Sequence, residues 1–357
     1  MKKLLLLLLA LASGSVGYAQ SLPTAAALTA LMQKTGVPGM QLVYTHGGKV
    51  QAYALGRRTA GQPATVNAAT VFEAASLGKA LLAYVALRLF DRGVLALDKP
   101  LLAYYPYPRL QSARNAEKIT ARMVLGHTTG LPNWAVNPTT PEWPATPLRL
   151  KYAPDSCWNY SGEGYVFLQK TLEHLTSKPF ETLAREEVFK PLGMTHSSFV
   201  WQQEFAANAA SGHDERNTPA PIGHYSAAYG AFSLFSTATD YSRLLQAVMT
   251  GQGLKPATAQ LLLMPANEAR RCGQPATATD PFIAWACGVG LATTSRGLAQ
   301  WQWGDNGNFK GFYLTLPGQR ESLVFLTNSA NGAKMTEDLL HLFFGPGKYR
   351  APQWLAE

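Results

Sequence analysis

From Ala75 to Arg92 the chain is apolar on nearly every side, and the run stops at Gly93. A helix of that composition has no wet face, so it must lie buried between layers. Two polar residues open the run: Ser76 and, three positions later, Lys79. In a helix this spacing stacks the lysine ammonium over the serine hydroxyl on one face. A partly desolvated lysine can take up a proton and turn a weak alcohol into a nucleophile. The same spacing also arises by chance as a helix-start serine and a solvated lysine, so its meaning depends on the other segments.

Those segments surround the buried helix symmetrically. Before it, residues 24–35 read as a short helix capped by Thr24. Met40 to Tyr44 and Val50 to Leu55 alternate around His46-Gly47-Gly48, which suggests a hairpin. After it, from about 100 to 225, prolines and aromatics are dense, helical pieces are short and strand patterns are scarce. A second amphipathic helix follows Ser236-Thr237-Ala238-Thr239-Asp240. Strand patterns return at 288–293, 300–304, 311–316 and 322–327, and a helix over 333–344 closes the series. The expected fold is therefore α/β of the α+β type. One antiparallel sheet, built from both chain ends and flanked by helices, carries a mostly helical inserted lobe. The lobes are expected over 20–99 plus 226–357 and over 100–225, with a cleft between them.

Residues 1–19 read separately. Lys2-Lys3, the apolar run Leu4 to Ala12 and small residues at Gly17 and Ala19 make a secretory signal peptide with cleavage after Ala19. The apolar run is too short to span a bilayer, so an exported protein, periplasmic or extracellular, is expected. Cleavage lowers the net charge from +9 to +7. The basic residues are dispersed, which argues against nucleic acid and fits weak attraction to anionic cell-wall polymers. Arg270 and Arg271 read as a solvated surface pair. Of the three cysteines, Cys272 and Cys287 could close a loop in an oxidising compartment, leaving Cys157 buried and unpaired. Neither the cysteines nor the seven histidines fall at metal-ligand intervals.

Two further segments can carry chemistry. Trp158-Asn159-Tyr160-Ser161-Gly162-Glu163-Gly164 precedes a helix in the insert. A tyrosine there can relay protons if a nearby cation lowers its pKa, or it can simply pack between lobes. Trp301-Gln302-Trp303-Gly304-Asp305-Asn306-Gly307-Asn308 ends a strand. Its glycines would let the backbone approach a substrate and offer N–H groups to an oxyanion, or merely form a hairpin turn. His127, in Gly126-His127-Thr128-Thr129-Gly130, reads as a hydrogen-bonded turn residue. Trp134, Trp143 and Trp158 read as lining or floor of the cleft.

The order of these three segments resembles the serine hydrolase family of class C β-lactamases, D-alanyl-D-alanine carboxypeptidases and related esterases. Further segments match it: Leu125-Gly126-His127-Thr128-Thr129-Gly130-Leu131-Pro132, Val188-Phe189-Lys190-Pro191-Leu192-Gly193-Met194 and the stretch from Tyr229 to Asp240. The resemblance spans about residues 25–345. It implies a β-lactamase/transpeptidase-like fold, an acyl-enzyme on Ser76, Lys79 as its activating partner and Tyr160 as proton relay. It also implies an oxyanion hole from the N–H groups of Ser76 and Asn308, and no cofactor. Asp305, Asn306 and Gly307 fall at the family's third motif.

Two positions depart from that pattern. Gly162 stands where an asparagine is usual, removing an amide that would orient Lys79; the adjacent Glu163 could substitute in part. Asp305 stands where lysine or histidine is usual. An acid there should repel a substrate carboxylate by about 1 kcal/mol, so a neutral ester or amide is the expected substrate, with β-lactamase activity poor. Two other readings compete. Ala74-Ala75-Ser76-Leu77-Gly78 touches the nucleophile-elbow pattern of α/β-hydrolases, but that leaves Lys79 and Tyr160 without a role. The fold could also serve as a cell-wall binding module with weak or lost catalysis, a reading that Gly162 and Asp305 favour.

Overall fold

Gly39–His46 and Lys49–Gly56 form the hairpin expected around Gly47 and Gly48, both of which take positive φ at its turn. Glu321–Thr327 pairs along the first of these strands from Met40 opposite Thr327 to His46 opposite Glu321. The two ends of the chain thus meet in one sheet. This computed structural model describes residues 22–357, and the expected signal peptide lies outside them. The sheet has seven antiparallel strands. Their spatial order is 49–56, 39–46, 321–327, 310–316, 297–305, 290–294 and 283–285. The last, Ile283–Trp285, is a three-residue edge strand that the alternation pattern is too short to reveal.

Both faces of the sheet are covered. Along Glu321–Thr327, Leu323 and Phe325 join a core with Leu28, Leu339 and Phe343 from the terminal helices Ala25–Thr35 and Thr336–Phe344. Val324 and Leu326, pointing the other way, join Leu77, Leu81 and Val85. The helix Gly78–Asp91 is buried from its first residue through Leu87, as its all-round apolar composition requires. Residues 100–225 contribute no strand to the seven-stranded sheet and lie against the far side of that helix.

The buried helix begins later than expected, and this places Ser76. Phe72–Ala75 is a short strand paired with Leu234–Ser236, and Ala75 turns the chain with φ 51°. That left-handed conformation costs an alanine on the order of 1 kcal/mol. Ser76 therefore sits in the turn between strand and helix. Gly304 and Gly311 face each other across neighbouring strands. A Cβ at Gly304 would lie 2.5 Å from the Ala74 carbonyl oxygen, and one at Gly311 would lie 3.0 Å from the Leu77 side chain. The glycine at the strand end thus admits the backbone that carries Ser76, not a substrate.

The cysteine expectation is corrected. Cys157 pairs with Cys272, and Cys287 is free and buried in the core. Backbone bonds from Trp158 N–H to Arg270 O and from Cys272 N–H to Trp158 O run the two disulfide segments side by side. Arg271 is likewise not a solvated residue: its guanidinium stacks 3.8 Å from the Trp354 ring, while Arg270 is exposed. Cys272→Ser should lower stability by about 2–4 kcal/mol, because the bridge spans a long chain segment. Alkylation followed by intact mass checks the pairing. Unfolded, unreduced protein should take one label, at Cys287; more than one label would contradict the bridge.

Candidate active site

Lys79 is 1% exposed. Its Nζ lies 3.1 Å from Ser76 Oγ and donates to the Ala231 carbonyl at 2.7 Å. The remaining neighbours are the ring faces of Tyr160, 4.7 Å away, and Tyr165, 5.7 Å away. No carboxylate pairs with it among the described residues. Burial without a counter-charge lowers its pKa from 10.5 to about 7. The unfolded chain binds a proton that the folded chain rejects. The resulting destabilisation is fully present below about pH 7 and fades toward 10.5.

Tyr160 is held over this pair by backbone and rings together. The His127 carbonyl accepts from Asn159 N–H at 2.7 Å and its Nδ1 accepts from Ser161 N–H at 3.1 Å, bracketing the tyrosine. The Tyr160 ring packs 4.4 Å from the His127 ring and 4.6 Å from that of Trp303. Burial, and then the nearby Lys79, hold His127 neutral by lowering its pKa, so the expected structural role suits it. Burial drives the Tyr160 pKa upward and the Asp305 charge adds to this; bonds with Ser76 and Gln302 act the other way. No cation is among the groups that lower it, so the lowered pKa expected of a relay from the sequence is not met. At neutral pH the phenol is protonated and serves as a donor.

Ser76, Tyr160, Asp305, Asn306 and Gly307 line one cavity of about 510 Å³, with Trp134, Tyr225, Phe232 and Trp303 among its other walls. Three expected site residues lie elsewhere. Glu163 is fully buried and turned from Lys79. It accepts from Arg109 at 2.7 and 3.1 Å, from Trp143 Nε1 at 2.8 Å and from Ala135 N–H at 3.0 Å. It pins the cleft wall and does not replace the missing amide. Gly162 leaves room for Trp134, whose ring atoms lie 2.3 Å from where its Cβ would stand. Asn308 is off the cavity wall, and its N–H donates to Asn306 O at 3.0 Å. The third-motif amides are thus bonded within their own loop. Of the tryptophans, Trp134 lines the cavity, Trp143 backs it, and Trp158 packs against Trp285 and Trp354.

The charge expected at the third motif is also altered. Asp305 pairs with Lys310 at 2.5 Å and accepts from Gly307 N–H at 2.8 Å. The repulsion of a bare acid is largely offset, so that lip is near neutral. Among the described residues no cluster of His, Cys, Asp or Glu could hold a metal ion, and no helix is long and apolar enough to cross a membrane.

A serine and a desolvated lysine in contact beneath a protonated tyrosine form a constellation suited to acyl transfer. The model of the Beta-lactamase family matches residues 24–343. The chain belongs to the beta-lactamase family of serine hydrolases. It is 28% identical over 356 residues to the esterase EstB of Burkholderia gladioli, covering 84% of this chain and 88% of EstB. It is 27% identical over 224 residues to the D-alanyl-D-alanine-carboxypeptidase/endopeptidase AmpH of Escherichia coli (strain K12). That match covers 59% of this chain and 57% of AmpH, so the chain spans little more than half of that relative. In fold it is similar to a beta-lactamase/D-alanine carboxypeptidase from Pseudomonas syringae, with TM-score 0.75 and 17% identity, over 89% of this chain and 96% of that one.

Within this beta-lactamase-family site, two polar residues escape motif reading. Glu73 is buried beside the cavity and accepts from Gly223 N–H at 2.7 Å, Tyr225 Oη at 3.0 Å and Asn306 Nδ2 at 2.6 Å, tying its strand to two loops. Gln302 is fully buried; its Nε2 donates to Tyr160 Oη at 3.3 Å, while its Oε1 has no partner among the described residues. The available signal was a polar side chain between two tryptophans in a strand buried on both faces. Donation from Gln302 leaves the Tyr160 proton free to point at Ser76 or a substrate. Gln302→Leu should lower kcat about tenfold with KM within about threefold, and should leave the melting temperature unchanged or higher, because an orphan acceptor is removed. A lowered melting temperature, or equal changes in KM and kcat, would show instead a packing role.

Proposed function

We propose that this protein is an exported serine hydrolase forming an acyl-enzyme on Ser76, with an uncharged ester or amide as substrate and an ester favoured. The observation that carries the reading is the 3.1 Å contact between Ser76 Oγ and a buried Lys79 whose pKa lies at about 7. Above that pH the amine is neutral. It takes the Ser76 proton as Oγ attacks the carbonyl carbon, and the Ser76 N–H faces the developing oxyanion. Tyr160 gives its proton to the departing alkoxide or amine. Water then attacks the acyl-enzyme and gives a proton to the Tyr160 phenolate, the ester bond to Ser76 breaks, and Lys79 returns its proton to the departing Ser76 Oγ.

Likeness to EstB over most of both chains supports an ester. So does the cavity: Trp134 fills the space beside Gly162, Lys310 is paired with Asp305, and among the described residues no Lys or Arg lines the walls to hold a carboxylate. A peptidase or β-lactamase role fits these walls less well. A second reading, a cell-wall binding module without turnover, is favoured by the Asn308 N–H turning to Asn306.

Intact mass after fluorophosphonate treatment separates these readings. Wild type should gain one adduct and Ser76→Ala none, and kcat/KM on a short ester should climb with pH through about 7 as Lys79 loses its proton. Folded wild type without an adduct would favour the binding module. Cephalosporin turnover as efficient as ester turnover would overturn the substrate assignment.

A further inference from the structure

A second cavity, of about 390 Å³, abuts the first. Pro138, Thr139, Tyr225 and Phe232 line both, so the two spaces share one boundary. An unbroken aromatic wall runs through it. Phe232 packs edge-on to Trp134 at 5.5 Å and to Trp143 at 6.3 Å, and stacks on Tyr229 at 5.1 Å. Trp134 belongs to the catalytic cavity, whereas Trp143 and Tyr229 line the second.

The polar atoms of two of these rings are turned away from the space. Glu163 takes the Trp143 N–H and Glu73 takes the Tyr225 hydroxyl. Two buried carboxylates thereby present ring faces to the cavity. Among the described residues no Lys, Arg, Asp or Glu lines it, and the histidine that does, His224, stacks on Trp201 at 4.0 Å. The wall is also preformed. Pro138, Pro141 and Pro144 restrict its loop, and Arg109, locked on Glu163, holds that loop through the Thr146 carbonyl at 2.7 Å. An uncharged chamber with an aromatic wall, open to solvent at Ser226 and Ala227 and sharing part of its lining with the cavity of a reactive serine, suits the far end of an elongated substrate.

We propose that this chamber is a subsite for an apolar or aromatic group carried away from the scissile bond, making the substrate a long, uncharged ester. This rests on the acyl-transfer reading above and adds the shape and polarity of what is bound. Each methylene placed there should strengthen binding up to about fourfold.

Ala227 and Ser226 line only the second cavity and are exposed, so a larger side chain there fills it from solvent without disturbing the core. The test measures binding of p-nitrophenyl acetate and p-nitrophenyl octanoate, and of methyl and octyl acetate, to Ser76→Ala protein. It is repeated with Ala227→Trp and with Ser226→Trp added. Octyl-bearing ligands should bind at least tenfold tighter than their short partners in one series, which also identifies the acyl or alcohol limb. Both added tryptophans should erase most of that preference. Equal affinity for short and long ligands, or a preference indifferent to both tryptophans, would overturn the subsite. Turnover by wild type is followed in parallel. Tight octyl binding without Ser76-dependent turnover would sink the hydrolase reading and leave the subsite standing.

Discussion

An ammonium group buried without a counter-ion is the constraint on which the rest of this structure turns. Lys79 meets a carbonyl, a hydroxyl and two aromatic faces, and among the described residues no carboxylate. Holding it there costs about 4–5 kcal/mol at neutral pH. The buried helix offsets that cost with apolar burial along Ala80 to Leu87, at about 1.5–3 kcal/mol for each large side chain. The position of the helix depends in turn on two glycines. Gly304 and Gly311 open a dent in the sheet that receives Ala74 and Leu77, and Ala75 takes a left-handed conformation so that Ser76 emerges at the turn.

The carboxylates near the cleft follow the complementary rule. Glu73 and Glu163 are buried beside the cavity yet kept from Lys79, each satisfied by donors of its own. Had either reached the ammonium, it would have favoured the charged form and left little free amine to accept the Ser76 proton at neutral pH. Both instead fasten loops: Glu73 joins the nucleophile strand to the third motif, and Glu163 joins the insert helix to the wall carrying Trp134 and Trp143. The charge of Asp305 is spent on Lys310. The titratable base is thus confined to the reacting centre, and the walls combine aromatic faces with the uncharged side chains of Asn133, Asn137, Thr139 and Asn306.

Much of this was legible in the sequence, for definite reasons. The all-round apolar run required a buried helix, and alternation at both chain ends required one shared sheet. Ser76, Lys79 and Tyr160 were visible as motifs, and they converge. Side-chain direction was not legible. Glu163 neighbours the tyrosine motif, but its place on the helix turns it to Arg109, a partner more than fifty positions away. Asp305 shows its charge in the sequence, whereas Lys310 offsets it only through strand register. The cysteines fail for the same reason. Cys272 and Cys287 are near in sequence, yet backbone pairing brings Cys272 to Cys157. Gln302 shows only as a polar residue in a buried strand, and its partner emerges from the fold.

The most direct test titrates Lys79 itself. Protein carrying ¹³C- and ¹⁵N-labelled lysine, with the Lys79 signal assigned by its absence in Lys79→Met, reports the ammonium by its Cε and Nζ shifts as pH is varied. A midpoint at about 7 would establish a neutral amine beside Ser76 at working pH, which this account predicts. A midpoint near the ordinary 10.5 would leave Ser76 without a base and contradict it.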